Sequence, residues 1–330
     1  MVKAVTLRVA VVGVGHLGKH HARILSALSG VELAAVVDTN RARAAEIAAA
    51  NGTRAAFDYR ELLGQVDAVT IAVPTELHCA IALPFLKAGV PVLVEKPIAR
   101  SLEEADRMIE AAADAGVVLA VGHTERFNPA LAAARPIVTD PRFIEIHRLG
   151  TFPERSLDID VVFDLMIHDL DVVLSLVDSD VESVEAVGVP VITNRVDIAN
   201  ARLRFANGCI VNLTASRISR DRVRKIRFFQ PSAYLSIDYA TQKVEVYRLV
   251  KGSGPTSLDP AQGKPSIEGG ELDVVSEEPL KRELADFVDA VVTRRAPRVT
   301  GEAGRRALAL AQEITDKIAT EMPPQRHQVT

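Results

Sequence analysis

The run from Val9 to Gly18, VAVVGVGHLG, leaves few folds open to this chain. Val9 to Val12 is a continuous apolar run, which predicts a strand buried on both faces. Gly13, Gly15 and Gly18 follow as G-x-G-x-x-G, with His16 and Leu17 inside the turn. Leu17, Ile24, Leu25 and Leu28 recur at helical spacing, and Gly30 stands where that helix would stop. A second apolar run, Val31 to Val37, ends in Asp38, twenty residues past Gly18. Strand, glycine turn, helix, strand and terminal acid, in this order, are what a dinucleotide-binding βαβ unit requires. Gly13 serves the sharp turn, Gly15 the close approach of backbone to a pyrophosphate, and Gly18 the packing of helix on strand. The helix N-terminus presents N–H groups and partial positive charge to the phosphates. Asp38 can accept from a ribose diol, and its charge opposes a 2′-phosphate. The pattern therefore predicts NAD over NADP, although Arg41 and Arg43 lie close by.

Apolar runs at 66–73, 92–94 and 117–121 then alternate with helical stretches. One helix runs over 40–50, and a second opens on the capping-box pair Asp58 and Glu61. A third runs from Thr75 as N-cap to Lys87, and a fourth opens on Ser101 and Glu104 and closes at Gly116. The alternation predicts an α/β fold, a parallel doubly wound sheet over residues 1–122, with a second domain over 123–330. Ligands of such sheets sit beyond the carboxyl ends of the strands. Pro74, Thr75, His78, Glu95, Lys96 and His123 fall at or just after such ends. The candidate cofactor contacts are accordingly Gly13, Gly15, His16, Leu17, Gly18, Asp38, Pro74, Thr75, His78, Glu95 and Lys96.

Two groups of residues carry possible chemistry. Lys96, between Glu95 and Pro97, could be an ordinary solvated cation. In this topology it is also placed to stabilise an alkoxide as a hydroxyl loses its proton. Asp160, Asp164, His168 and Asp171 have spacings that put all four on one face of a helix. A carboxylate one turn from His168 can choose its tautomer and raise its pKa, as a general base needs. The same spacing also fits a histidine at the edge of a buried helix, satisfied by its neighbour. The histidines are scattered, with no HExxH or paired-ligand spacing, so no metal is predicted.

In the second domain, Arg126 and Asn128 open a helix. They could meet a carboxylate and a sugar hydroxyl, or simply begin the helix. Alternating patterns predict strands near 142–150, 181–192, 196–206, 209–217, 223–230, 233–239 and 242–249, joined by hairpins. Arg217, Arg220, Arg222, Arg224, Lys225 and Arg227 form a basic run opposed only by Asp221. Such a run is either a solvated strand face or a clamp for a pyrophosphate, with Arg217 the first choice of ligand. Residues 251–278, rich in Gly, Pro and Ser, predict a mobile loop. Two amphipathic helices follow, at 278–292 and 301–319, and the tail from Pro323 is expected to be disordered.

The 330 residues carry a net charge of −4, which argues against a general nucleic-acid binder. The two cysteines, Cys79 and Cys209, have no redox or metal spacing. There is no secretory leader pattern, and no apolar run approaches the ~20 residues of a membrane span. A cytoplasmic protein without membrane or nucleic-acid partners is expected.

Taken in order, G13-V-G-H-L-G18, P74-T-E-L-H78, E95-K-P97 and D164-x-x-x-H168 resemble the glucose–fructose oxidoreductase, inositol dehydrogenase and MocA (Gfo/Idh/MocA) family. The resemblance covers nearly the whole chain. It implies an N-terminal Rossmann domain and a C-terminal α+β domain. The latter has an open antiparallel sheet used for assembly, and C-terminal helices that pack back on the first domain. It implies a cis Lys96–Pro97 bond, and a site where Lys96, Asp164 and His168 act on a sugar or polyol hydroxyl. Many members have a glycine inside D-x-G-x-H, where this chain reads D164-L-M-I-H168. The stretches at 123–130, 164–171, 213–217 and 228–249 resemble a narrower group, the UDP-N-acetylglucosamine 3-dehydrogenases, which supply a 3-keto sugar to an aminotransferase. The implied activity is NAD-dependent oxidation of a sugar ring hydroxyl, at C3 of a UDP-N-acetylhexosamine. The substrate-binding candidates are Lys96, Arg126, Asn128, Asp164, His168 and Arg217. The alternatives are a free-sugar or inositol dehydrogenase, a glycosidase using transient C3 oxidation, and a non-catalytic NAD-binding protein. A homodimer or homotetramer is expected by analogy.

Overall fold

The apolar runs of the N-terminal stretch form parallel strands. In the computed structural model, which describes residues 6–152, 159–231, 233–250 and 266–321, strands β1 (Leu7–Val12) and β2 (Val31–Val37) flank helix α1 (Gly18–Ala27). Helix α2 (Arg41–Ala50), capped by the Asn40 side chain, leads to the short strand β3 (Arg54–Ala56). Then come β4 (Ala68–Ile71), α3 (His78–Lys87), β5 (Val92–Glu95), α4 (Leu102–Ala115) and β6 (Leu119–Gly122). The sheet order is β3-β2-β1-β4-β5-β6, with every pairing parallel. The order reverses between β1 and β4, the switch point beside which ligands of such sheets bind. Strands β4, β5 and β6 are buried throughout, as strands covered on both faces must be.

Two local expectations change. The Asp58–Glu61 capping box is present, but it opens a single 3₁₀ turn, Tyr59–Leu62, rather than a helix. Thr75 does not cap α3. It begins a 3₁₀ turn, Thr75–Leu77, and α3 starts at His78 without a side-chain cap.

The second sheet begins after helix α5 (Pro129–Ala134) with β7 (Phe143–Leu149). A π-helical turn, Val162–Met166, runs into α6 (Ile167–Leu176). Strands β8 (Val181–Val189), β9 (Ile198–Phe205), β10 (Ile210–Ser216), β11 (Val223–Gln230), β12 (Ala233–Asp238), β13 (Lys243–Val250) and β14 (Ser266–Glu271) complete it. The order is β14-β13-β12-β11-β7-β10-β9-β8. All pairings are antiparallel except β7 with β10. That parallel pair departs from the expected antiparallel sheet. The chain leaves β7, passes through α6, β8 and β9, and returns in the same direction. Burial alternates along β7 and β9, so one face of the sheet is covered and the other open.

β14 falls within the 251–278 stretch read as a loop. Its sequence, SIEGGE, carries almost no strand signal. Gly269 lies against β13, where an added Cβ would press on the Val246 carbonyl oxygen. Residues 251–265 and the tail from 322 lie outside the described residues.

The chain ends in helices α7 (Pro279–Thr293) and α8 (Gly301–Glu321). The molecule divides into two units, Met1–Phe127 with Glu277–Ala309, and Asn128–Ser276 with Leu310–Thr330. In the first unit, Leu284 and Phe287 of α7 join the apolar cluster of Val9, Val11, Ile24, Leu25 and Leu93.

Candidate functional site

The glycine turn of the first unit is shaped for a dinucleotide. Gly13 has φ +85°, and a Cβ there would lie 2.7 Å from the Ala72 carbonyl oxygen. A Cβ on Gly18 would collide with the Gly13 carbonyl, so turn and helix can meet only through glycine. Gly15 differs, because nothing lies within 4 Å of where its Cβ would be. The space beside it is open to a ligand. His16 and Leu17 are exposed in the same turn, and no side chain caps the start of α1.

Asp38, just past β2, is held facing this turn. Its Oδ2 accepts from the Val14 N–H at 3.1 Å and its Oδ1 from the Asn40 N–H at 2.8 Å. Of the two arginines that could have served a 2′-phosphate, Arg43 lies 3.8 Å from Asp38, and Arg41 stacks 4.2 Å over the Phe57 ring. These residues fit NAD.

At the end of β5 the Lys96–Pro97 peptide is cis, as the resemblance implies, and Lys96 is half-buried. Pro74 is exposed and Thr75 half-buried in their turn. Glu95 and His78, expected as cofactor contacts, are turned inward. Glu95 is 5 % exposed, with Oε1 3.0 Å from His21 Nε2 and Oε2 accepting from the Lys96 N–H at 3.3 Å. Burial works to raise the Glu95 carboxyl, but His21, aided by Lys96, holds it below the usual carboxylate value. His78 is 1 % exposed, its Nδ1 3.0 Å from the Pro97 carbonyl and its Nε2 2.9 Å from that of Val73. Burial lowers its pKa. Both side chains are thus bonded within the protein, behind the Lys96 loop.

In the second unit the four-residue face predicted over Asp160–Asp171 is rearranged. The Ile167 N–H bonds the Val162 carbonyl, five residues back, so the turn carries one residue more than an α-helix. Asp160 precedes it and accepts from the Val196 N–H at 3.0 Å. Asp171 is buried. Asp164 and His168 are half-buried, one on the π turn and the other in the first turn of α6.

Two expected substrate contacts also point inward. Asn128 is 2 % exposed. Its Oδ1 accepts from the Ala130 N–H, capping α5, while its Nδ2 donates to the Tyr239 carbonyl at 3.1 Å. Arg217 is 1 % exposed, with Nη2 donating to the carbonyls of Ile159 and Val196 at 2.5 and 2.9 Å. Its Nε lies 3.2 Å from Asp197. Asp197 is pulled down to about 2; burial opposes that shift, and the Thr193, Ile192 and Val191 N–H groups drive it. Arg217 is thus a buried tie rather than a surface clamp. Within the rest of the basic run, Arg220, Arg222 and Arg224 are exposed, Arg227 pairs with Glu145 at 2.6 Å, and Lys225 lies 3.8 Å from Asp238. Arg126, in the first unit, donates to the Arg298 carbonyl at 3.2 Å.

Sequence reasoning missed Glu283 and the Arg148–Asp169 pair. Glu283, on α7, is 1 % exposed and brings a carboxylate within 4.8 Å of His21 and Glu95. Arg148 on β7 forks onto Asp169 at 2.6 and 2.9 Å, with both side chains buried. Neither leaves a local signal, because the partners belong to elements far apart in the chain.

The description of an oxidoreductase family with an NAD-binding Rossmann fold matches residues 7–123, and that of the GFO/IDH/MocA C-terminal domain matches residues 140–232. The UDP-N-acetylglucosamine 3-dehydrogenase of Acidithiobacillus ferrooxidans is 40 % identical, over 97 % of this chain and 99 % of that protein. An inositol 2-dehydrogenase of Rhizobium meliloti is 26 % identical over 95 % of this chain and 97 % of its own length. A solved structure of the Acidithiobacillus enzyme superposes with a TM-score of 0.87 at 38 % identity, covering 95 % of this chain and 98 % of that one. Among the described residues no helix is long and apolar enough to cross a membrane.

Proposed function

The chain belongs to the Gfo/Idh/MocA family of NAD-binding oxidoreductases, and from that premise we propose that it oxidises the C3 hydroxyl of a UDP-N-acetylhexosamine. The observation that carries the substrate class is the 40 % identity, over 97 % of this chain, with a UDP-N-acetylglucosamine 3-dehydrogenase.

NAD, held by the Gly13–Gly18 turn and Asp38, supplies the hydride acceptor. His168 takes the proton of the ring hydroxyl, and Asp164 orients its imidazole and stabilises the imidazolium. Lys96 offers a fixed ammonium to the oxygen as it takes up negative charge. Pro74, Thr75, His16 and Leu17 would border the cofactor when it is bound. With Arg217 withdrawn to the interior, the exposed Arg220, Arg222 and Arg224 supply forked donors for a pyrophosphate.

The open face of the second sheet carries a row of aromatic rings: Phe143 and Phe229 at 5.4 Å, Phe229 and Tyr234 at 5.2 Å, Tyr234 and Tyr247 at 6.2 Å. Leu249 and Ile267 stand exposed on the neighbouring strands at its edge. A second copy of the chain covers this face in a homodimer or homotetramer. The protein works in the cytoplasm and hands its 3-keto product to an aminotransferase.

NADH absorbance tests the reading, with NAD and a panel of UDP-N-acetylglucosamine, free glucose and myo-inositol. The nucleotide sugar is run with and without glutamate and an aminotransferase to draw off the ketone. A rise with the UDP-sugar supports the proposal. A rise only with the free polyols replaces it with a polyol dehydrogenase. No rise with any of them, despite NAD binding, removes the dehydrogenase reading in favour of transient oxidation or binding alone.

A further inference from the structure

The segment that carries Asp164 and His168 is anchored on both sides by a buried arginine. Upstream, the Arg217 guanidinium donates to the Ile159 and Val196 carbonyls at 2.5 and 2.9 Å. The Val161 N–H donates to the Val196 carbonyl at 3.0 Å, and the Val196 N–H to Asp160 at 3.0 Å. Residues 159–161 are therefore fixed to the start of β9 and the end of β10. Asp197, facing Arg217, is itself held by the N–H groups of Val191, Ile192 and Thr193 at 2.8, 2.7 and 2.8 Å. Downstream, the residue after His168 is Asp169, which the Arg148 guanidinium grips through two bonds.

Between these anchors lies the π turn. A π turn is less favourable than an α turn and is found where its surroundings impose it. Here residues 159–161 and Asp169 are both tied to the sheet, and the turn between them takes up the additional residue. Were either anchor released, the segment could relax to regular α-helix. One residue of register turns a helix face by about 100°. His168 would then move relative to Asp164 and everything before it.

We infer that Arg217 and Arg148 are positioning residues, which hold the π turn and thereby aim His168 and Asp164. The inference rests on the reading that these two residues handle the substrate proton. A forked guanidinium is needed at both places: Arg217 spans two carbonyls and a carboxylate, and Arg148 meets both oxygens of Asp169.

The test uses the full-length protein with Arg217→Lys and with the double substitution R148M/D169L. The second replaces a buried ion pair by apolar groups of similar size, a change that commonly preserves folding. Three properties are read: the His168 ring signal by NMR, assigned with His168→Gln; the dissociation constant for NADH; and kcat against KM on the substrate that turns over. The expected result is NADH affinity within twofold of the parent, a displaced His168 ring signal, and kcat down at least tenfold with KM little changed. Lysine at 217 does not restore the parent values. Folded variants whose His168 signal and kcat match the parent overturn the inference, whatever their melting temperature. The NMR arm needs no substrate. If no sugar in the panel is oxidised, the functional reading fails while the positioning of His168 is still measured.

Discussion

His21 and Glu95 meet at 3.0 Å in the interior of the first unit, one from the helix that follows the glycine turn and the other from the residue before Lys96. This contact couples the phosphate end of the cofactor cradle to the Lys96 loop. Glu95 holds its proton less tightly when folded than when unfolded. Its contribution to stability is therefore fully present above the unfolded value near 4.5, and is lost as pH falls through the lower folded value. The melting temperature of the parent should drop more steeply below about pH 4.5 than that of Glu95→Gln. Parallel curves would show that Glu95 carries no such linkage. Glu95→Ala removes the buried partner of His21 Nε2 and should cost about 1–3 kcal/mol in a denaturant titration.

The three glycines of the turn should separate in their effects. Gly15→Ala meets no protein atom, so it should melt within a few degrees of the parent and yet bind NADH at least about tenfold more weakly. Gly18→Ala must displace the Gly13 backbone and should lower the melting temperature itself. Equal NADH affinity in Gly15→Ala would place the pyrophosphate elsewhere.

Asp38→Ala removes an acceptor for the ribose and releases Arg43. NADH affinity should fall by about 1.5–3 kcal/mol, the range for hydrogen bonds to a charged group. The preference for NAD over NADP should narrow. Isothermal titration with both cofactors measures each constant directly. An unchanged ratio would remove Asp38 from cofactor choice.

Lys96→Met and His168→Gln should leave NADH affinity within about threefold and reduce kcat by about 10²–10⁴. Single-turnover absorbance at saturating substrate separates this from weaker binding. Full turnover in Lys96→Met would exclude the alkoxide role.

Asn128→Ala tests the revised reading of that residue. Loss of the α5 cap should cost about 1 kcal/mol of stability. KM for the sugar should stay within twofold. A large rise in KM at unchanged stability would return Asn128 to the substrate.

How far the sequence reaches can be judged residue by residue. The strands of both sheets follow the runs and alternations expected of them, apart from the three-residue β3, which no apolar run announces, and β14, whose SIEGGE carries too little strand character to see. Asp38 was legible because its position relative to the glycines is set by one βαβ unit. Glu95, His78, Asn128 and Arg217 were visible as polar residues near strand or helix ends, but the direction each faces was not. A polar side chain at such a point can serve a ligand or the backbone of its own protein, and the two look alike in sequence.

By itself, then, the sequence determined the βαβ unit and the parallel sheet, because these depend on period and spacing within a few tens of residues. Tertiary structure alone decided what the polar residues bind. His21 finds Glu95 across 74 residues, Asn128 finds the Tyr239 carbonyl across 111, and Arg217 finds that of Ile159 across 58. It also decided the π turn, since a local pattern of spacings four apart reads as an ordinary helix. Only the two anchors on either side, each an arginine whose charge cannot be left unpaired in the interior, require the turn to hold one residue more.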